Sequence, residues 1–309
     1  ARFEAERQAL AMMDHPNISK VFDGGATPKG RPFFVMELAL GLQITEYCDQ
    51  EKLSIEERLR LFTETCHAIR HAHQKGIIHR DIKPSNILIT RIDGEAIPKV
   101  IDFGIVKAVQ TNLTDKSLFT RFQSFIGTPA YTSPEQIQMS HMDVDTRSDI
   151  YSLGALLYDL LVGQPPFDPL LLAEQGIDRT RQTISEEEAK KPSQYISDLD
   201  SDEKIRIAEK RKTHPDQLRK ILKGELDWIV MKCLEKNRVR RYETVNALSA
   251  DIERYLKHEP VLAHEPSKFY KARKLIDRNR LAFGFSVALA ASLFIGSIAI
   301  SALGLKAIQ

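Results

Sequence analysis

The stretch His79-Arg80-Asp81-Ile82-Lys83-Pro84-Ser85-Asn86 sets a carboxylate, an ammonium and an amide at short, fixed offsets. Moving a phosphoryl group from a nucleotide to a hydroxyl needs those three groups. Asp81 would take or orient the hydroxyl proton, Lys83 would steady negative charge on the phosphate, and Asn86 would hold a metal ion. Two further motifs follow in order, Asp102-Phe103-Gly104 and Gly127-Thr128-Pro129-Ala130-Tyr131-Thr132-Ser133-Pro134-Glu135. A lone His-Arg-Asp arises by chance, but three motifs in this order are poorly explained that way.

Around these residues the chain has the makings of a folded core. Its 309 residues are 42% hydrophobic and 28% charged, ordinary values for a globular protein of one large domain or two small ones. A net charge of +2 argues against a dedicated nucleic-acid binder. Cys48, Cys66 and Cys233 lie far apart with no metal-like spacing, which fits a reducing compartment. The spacing of Phe3, Leu10 and Met13 predicts a helix stopped by Pro16, and strands are predicted over Ser19–Phe22 and Pro32–Leu38. Ser54 with Glu57 forms a capping box, from which Ile55, Leu59, Phe62, Cys66 and Ile69 run down one face of a long helix ending near Gly76. Apolar runs on either side of Asp93-Gly94 predict a hairpin beside the reactive loop. Residues Asp149–Val162 are apolar almost all round and closed by Gly163, so that helix is expected to be buried. The charged stretch 168–226 reads as an exposed insertion with some helix, either a solvated face or a docking surface. His67 and His71, one helical turn apart, are either surface histidines or two ligands of a metal without an evident third.

With those three motifs the chain resembles the protein kinases over Ala1 to about Leu256, and the rest of this paragraph is what the resemblance implies. The fold is α+β and bilobal, with a strand-rich N-lobe and a helical C-lobe, and residues 1–258 form the domain. Asp81 matches the catalytic base, and Lys83, two residues on, matches the phosphate-bridging lysine of serine/threonine rather than tyrosine kinases. Asn86 and Asp102 match the magnesium ligands, and their oxygens suit a hard divalent cation. Met36 matches the gatekeeper, the Glu37 carbonyl and Ala39 amide the adenine contacts, and Leu88 the residue beneath the adenine ring. ATP and Mg2+ are the implied cofactors and proteins the implied substrates. Glu6 resembles the helix C glutamate that pairs with a lysine on the third strand. Thr128 matches the threonine bonded to the catalytic aspartate and lysine, Glu135 and Arg241 a family ion pair, and Asp149 the buried acid that holds the catalytic loop. Arg80 matches the arginine that pairs with a phosphorylated residue between Asp102 and Glu135, with Thr120 and Ser124 the leading candidates.

The pattern departs from the family at its start. The glycine-rich loop and third-strand lysine should precede helix C, and nothing in Ala1–Glu6 supplies them. Either the sequence is a fragment of a longer protein, which its first residue Ala1 also suggests, or the protein lacks those parts. Without them the polypeptide as written is expected to be a poor kinase.

Leu281–Leu305 has no charged residue over about 25 positions, enough to cross a bilayer core. Lys268, Lys271, Arg273, Lys274, Arg278 and Arg280 precede it. This predicts a basic juxtamembrane segment (259–280) against membrane lipid, a single-pass span (281–305), and a further region begun by 306–309. The catalytic domain would then be cytoplasmic at the cell membrane. Gly284, Ala288, Ser292 and Gly296 form a small-residue stripe, which makes a homodimer a candidate assembly. The reading is a membrane-tethered serine/threonine kinase of the bacterial signalling type. Its rival is a pseudokinase-like receptor or scaffold that acts by binding.

Overall fold

The computed structural model describes residues 13–28, 32–103, 129–138, 144–264, 270 and 274. The chain divides into two compact units, residues 1–253 and 254–309. Glu6, Gly104, Thr120, Ser124, Thr128 and the stretch 281–305 lie outside the described residues. Among the described residues no helix is long and apolar enough to cross a membrane.

The smaller part of the first unit is built on strands. Strands β1 (Val21–Ala26) and β2 (Pro32–Met36) pair antiparallel, and Glu37 is the first residue beyond β2. A second sheet has the order β3 (Leu42–Gln43), β4 (Ile87–Ile92), β5 (Glu95–Val100), all antiparallel. Between β3 and β4 lie helices α1 (Ile44–Gln50) and α2 (Ile55–Gln74) and then the reactive loop. The β4–β5 hairpin turns on Asp93 and Gly94, at φ 52° and 86°. Positive φ at both central residues is what a two-residue turn needs to match the right-handed twist of its strands. The segment His15–Ser19 is stitched to β5: the Val100 N–H donates to the Asn17 carbonyl (2.8 Å), Ser19 N–H to the Val100 carbonyl (3.0 Å), and Asn17 Nδ2 to the Pro98 carbonyl (2.9 Å).

Helix α2 begins at the Ser54 box. Glu57 N–H donates to Ser54 Oγ (3.3 Å) while Glu57 Oε2 accepts the Ser54 N–H (2.8 Å), so two of the donors a helix start leaves open are satisfied. Its apolar face, Ile55, Leu59, Phe62, Cys66 and Ile69, is wholly buried. After the loop come a short α3 (Pro134–Ile137) and the central α4 (Thr146–Val162), buried from Ser148 to Val162 and closed by Gly163 at φ 92°. Helix α4 packs closely on a later helix because of Gly154, where a Cβ would collide with the Cβ of Cys233. All three thiols are buried. Burial pushes Cys48 up to about 12 and raises Cys66 and Cys233 as well, so none is a ready nucleophile.

The charged stretch 168–226 is helical and largely exposed, with a narrow buried stripe on each helix. It forms α5 (Pro169–Glu174), α6 (Ile177–Glu186), α7 (Pro192–Asp198), α8 (Ser201–Glu209) and α9 (Pro215–Leu222). Leu172, Ile184, Ile196, Ala208, Leu218 and Leu222 are buried, each helix offering one narrow apolar stripe between its charges. Helix α10 (Glu225–Cys233) follows, and Asp227 anchors α7 by accepting Ser193 N–H (2.9 Å) and Ser193 Oγ–H (2.6 Å). Helix α11 spans Val245–Leu256, and the first unit ends within it, at Glu253. In the second unit Val261 N–H donates to the Tyr270 hydroxyl (3.0 Å).

Candidate active site

The reactive loop joins α2 to β4, and helix α4 fixes its backbone. Asp149 is fully buried near the start of α4, and its carboxylate accepts three hydrogen bonds. Oδ2 takes the His79 N–H (2.8 Å) and pairs with His73 Nε2 (2.7 Å), while Oδ1 takes the Arg80 N–H (2.8 Å). Burial alone would raise its pKa. His73, the nearby His79 and the Arg80 N–H outweigh that and hold the carboxyl below its ordinary range. The bonds also fix a backbone turn that sterics disfavour, since Arg80 sits at φ 65°.

His79 carries the restraint onward. It is completely buried, which lowers its pKa and keeps the ring neutral. Nδ1 accepts the Asp81 N–H (3.3 Å), so Nε2 carries the proton and donates to the Ile101 carbonyl (3.2 Å). Its ring lies 4.6 Å from that of Phe103. One histidine thus spans the loop that bears Asp81 and the segment after β5 that bears Asp102.

The chemistry-bearing groups gather on Asp81. Lys83 Nζ lies 2.9 Å from Asp81 Oδ2, and Asn86 Nδ2 donates to the same oxygen (3.1 Å) and to the Asp81 carbonyl (2.7 Å). With its nitrogen committed there, the Asn86 amide offers only Oδ1 to a cation. Asn86 is joined in turn to the segment bearing Asp102, since Ile101 N–H donates to its carbonyl (2.9 Å). Asp102 itself has φ 53° and is, like Arg80, a left-handed non-glycine residue. Such conformations cost roughly 1–3 kcal/mol each and cluster where geometry matters more than comfort. Among the described residues no group of three His, Cys, Asp or Glu could hold a metal. His71 packs on His15 with ring centroids 5.3 Å apart, and His67 reaches Glu253 at 3.9 Å.

The segment after residue 128 abuts this loop. Gln136 Nε2 donates to the Arg80 carbonyl (2.8 Å), and Arg241 Nη1 and Nη2 donate to the two carboxylate oxygens of Glu135 (2.7 and 2.8 Å). Burial works against the Glu135 charge. The paired Arg241 bonds and Ser148 Oγ–H (2.6 Å) overcome it and keep the pKa lowered. Arg241 also donates to the carbonyls of Arg147, Glu235 and Lys236.

The apolar edge of the site lies at the end of β2. Met36 ends the strand, and Ala39 is half-buried in the segment that follows. Glu37 is pinned by its side chain, which accepts Lys99 Nζ on both oxygens (3.2 Å each) and the Lys20 N–H (3.2 Å). Leu88 pairs across the ladder with Lys99, so the two share a face of the sheet. His73, Gln136 and Lys99 had no signal in the sequence, because their partners lie tens of residues away.

A bilobal arrangement with this loop, this buried aspartate and this ion pair is that of the protein kinases. The protein kinase domain model matches residues 1–252, and the chain belongs to that family. It is 34% identical over 266 residues to the serine/threonine-protein kinase PknB of Mycobacterium tuberculosis, covering 84% of this chain and 36% of that protein. It is 32% identical over 259 residues to a probable serine/threonine-protein kinase of Corynebacterium efficiens, covering 82% of this chain and 34% of the other. The chain thus spans about a third of the length of these relatives. The crystal structure of the Mycobacterium tuberculosis PknI kinase domain shares the fold, with a TM-score of 0.54 at 23% identity over 82% of this chain and 78% of that one.

Asp149→Asn tests the dependence of the loop on one buried charge. The native pKa lies below the unfolded one, so the carboxylate stabilises the fold above about pH 4, the unfolded value. That contribution is lost as the pH falls through the native pKa. Urea denaturation of the variant at pH 7 is expected to show a loss of about 3 kcal/mol or more. The difference from wild type should shrink as the pH drops below 4. A variant as stable as wild type at pH 7 would refute the assignment.

Proposed function

We propose that this chain is the catalytic domain of a serine/threonine protein kinase that transfers the γ-phosphoryl group of MgATP to protein hydroxyls. The convergence of Lys83 and Asn86 on the Asp81 carboxylate, over a loop pinned by Asp149, carries the reading. The names of the relatives agree with it. Asp81 orients the acceptor hydroxyl and accepts its proton as the oxygen becomes nucleophilic. Lys83 is held beside that carboxylate and steadies the charge of the transferred group. Asn86 Oδ1 and the Asp102 carboxylate form an all-oxygen donor pair that fits Mg2+, which would supply charge neutralisation at the phosphates. Leu88 and the backbone of Glu37 and Ala39 would receive the adenine, and the Lys99–Glu37 pair keeps that segment from swinging away. A protein that acts by binding alone has no use for this set of groups. In Asp81→Asn, autophosphorylation should fall about 1,000-fold while nucleotide binding persists, because the group acts at the hydroxyl. Radiolabel incorporation within about threefold of wild type would remove Asp81 from the mechanism.

Phosphorylation within 104–134 is proposed to raise activity, with Thr120 or Ser124 the preferred sites. Arg80 Nε is buried and has no hydrogen-bond partner among the described residues, as expected of a cation that completes its bonding with a phosphate. Mass spectrometry of the active enzyme should find phosphate there. Full activity with that segment unmodified would sink the idea.

Tethering to a membrane by 281–305, with the catalytic domain cytoplasmic and the basic 259–280 segment on anionic lipid, rests on the sequence alone, as does a homodimer through the small-residue stripe. Protease added to intact cells should spare the catalytic domain. Its digestion would reverse the topology.

A further inference from the structure

Arg211 comes from the charged stretch between α8 and α9, yet it is buried to 1% exposure. Its guanidinium closes the C-terminal end of α4. Nε donates to the Leu161 carbonyl, Nη2 to Leu160 (3.2 Å) and Asp159 (3.5 Å), and Nη1 to Ile207 (3.1 Å). Helix ends leave such carbonyls open, and a cation there also meets the negative end of the helix dipole. A second buried guanidinium, Arg58 of α2, donates to Leu160 (3.2 Å) and to the Lys210 carbonyl (2.7 Å), locking the Arg211 segment in place. Asp49 of α1 balances the charge, at 3.0 Å from Arg58, 2.9 Å from Lys210 and 3.8 Å from Arg211. Burial, and then Arg58, lowers Arg211 to about 9, so it remains a cation at neutral pH.

The last turn of α4 is also where the chain bearing Tyr131 is tied down. The Tyr131 hydroxyl donates to Asp159 Oδ2 (2.6 Å), and Ser152 Oγ–H donates to the Tyr131 carbonyl (2.7 Å). Burial pushes Asp159 up to about 6, and the nearby Arg211 charge pulls the other way, favouring the carboxylate that accepts the tyrosine proton. Tyr131 stands five residues before Gln136, which bonds the Arg80 carbonyl beside Asp81. Through Gln136 the segment is joined to the loop that carries Asp81, where an acceptor hydroxyl would be presented.

We propose that Arg211 is a positioning residue for the protein acceptor: by holding the last turn of α4 it holds Asp159 on Tyr131, and so shapes the segment against which the acceptor chain lies. This rests on the kinase reading. It gives the charged stretch a role in catalysis that its sequence, a run of surface-type residues, does not suggest.

The test uses the full-length protein with histone as acceptor and compares Arg211→Met, Arg211→Lys, Tyr131→Phe and the double variant Arg211→Met/Tyr131→Phe. Two rates are read, phosphoryl transfer to histone and ATP hydrolysis without acceptor. Arg211→Met should raise the acceptor KM about tenfold. Its kcat and its ATP hydrolysis should stay within about twofold of wild type, and Arg211→Lys should recover part of the loss. Tyr131→Phe should raise the same KM, and the double variant should do little more than either single change, because both break one path. An unchanged acceptor KM in a folded Arg211→Met, or effects that simply multiply in the double variant, would overturn the proposal. If Arg211→Met does not fold, Tyr131→Phe decides: an unchanged acceptor KM refutes the path and a raised one supports it. Failure of the kinase reading itself looks different, since wild type would then transfer no phosphate and match Asp81→Asn.

Discussion

The site depends on a carboxylate that has been taken out of water. Asp149 sits at the start of a helix buried on all sides, where an unpaired charge would be prohibitive. Its charge is kept by two backbone N–H groups and a histidine, and those donors belong to the helix end and loop that carry Asp81. The penalty of burial is thereby turned into geometry. If the loop moved, the acid would lose its partners, so loop and helix are fixed together. The left-handed Arg80 is tolerated for the same reason, as the bonds it permits outweigh its local strain.

Charge is placed at both ends of α4 and along its side. At the start stands Asp149; on the flank, Glu135 holds Arg241; at the finish, Arg58 and Arg211 fill the open carbonyls. Asp149, Arg58 and Arg211 are satisfied mainly by backbone groups, which cannot rotate away as side chains can, whereas Glu135 is held by the side chains of Arg241 and Ser148. The apolar faces of α2, α4 and α10 are buried, and Gly154 lets two of these helices close to backbone distance. The ions decide which way the surrounding segments face.

Where local rules act alone, the sequence was a sufficient guide. The Ser54 box, the Asp93-Gly94 turn, the apolar α4 and its closing Gly163 each follow from a few adjacent residues, and each has its expected form. The motif residues Asp81, Lys83 and Asn86 were legible for the same reason, being neighbours in sequence as well as in space. In the stretch 168–226 the buried positions went unread because narrow apolar stripes are diluted by the exposed charges around them. Arg58 and Arg211 were invisible because a buried guanidinium satisfied by carbonyls looks, residue by residue, like any solvated arginine. Likewise, Lys99 and Glu37 meet through sheet pairing and chain return, which no local window contains.

The three thiols carry a practical consequence. Cys48 stands by the Arg58 and Asp49 cluster, Cys66 is in the middle of α2, and Cys233 is wedged against Gly154. All are enclosed and held as protonated thiols, so an alkylating reagent in solution meets no reactive sulfur until the lobe opens around it. The native chain is therefore its own set of opening reporters at three places. It is also a quiet background on which one added surface cysteine can carry a dye without competition from the rest of the described lobe.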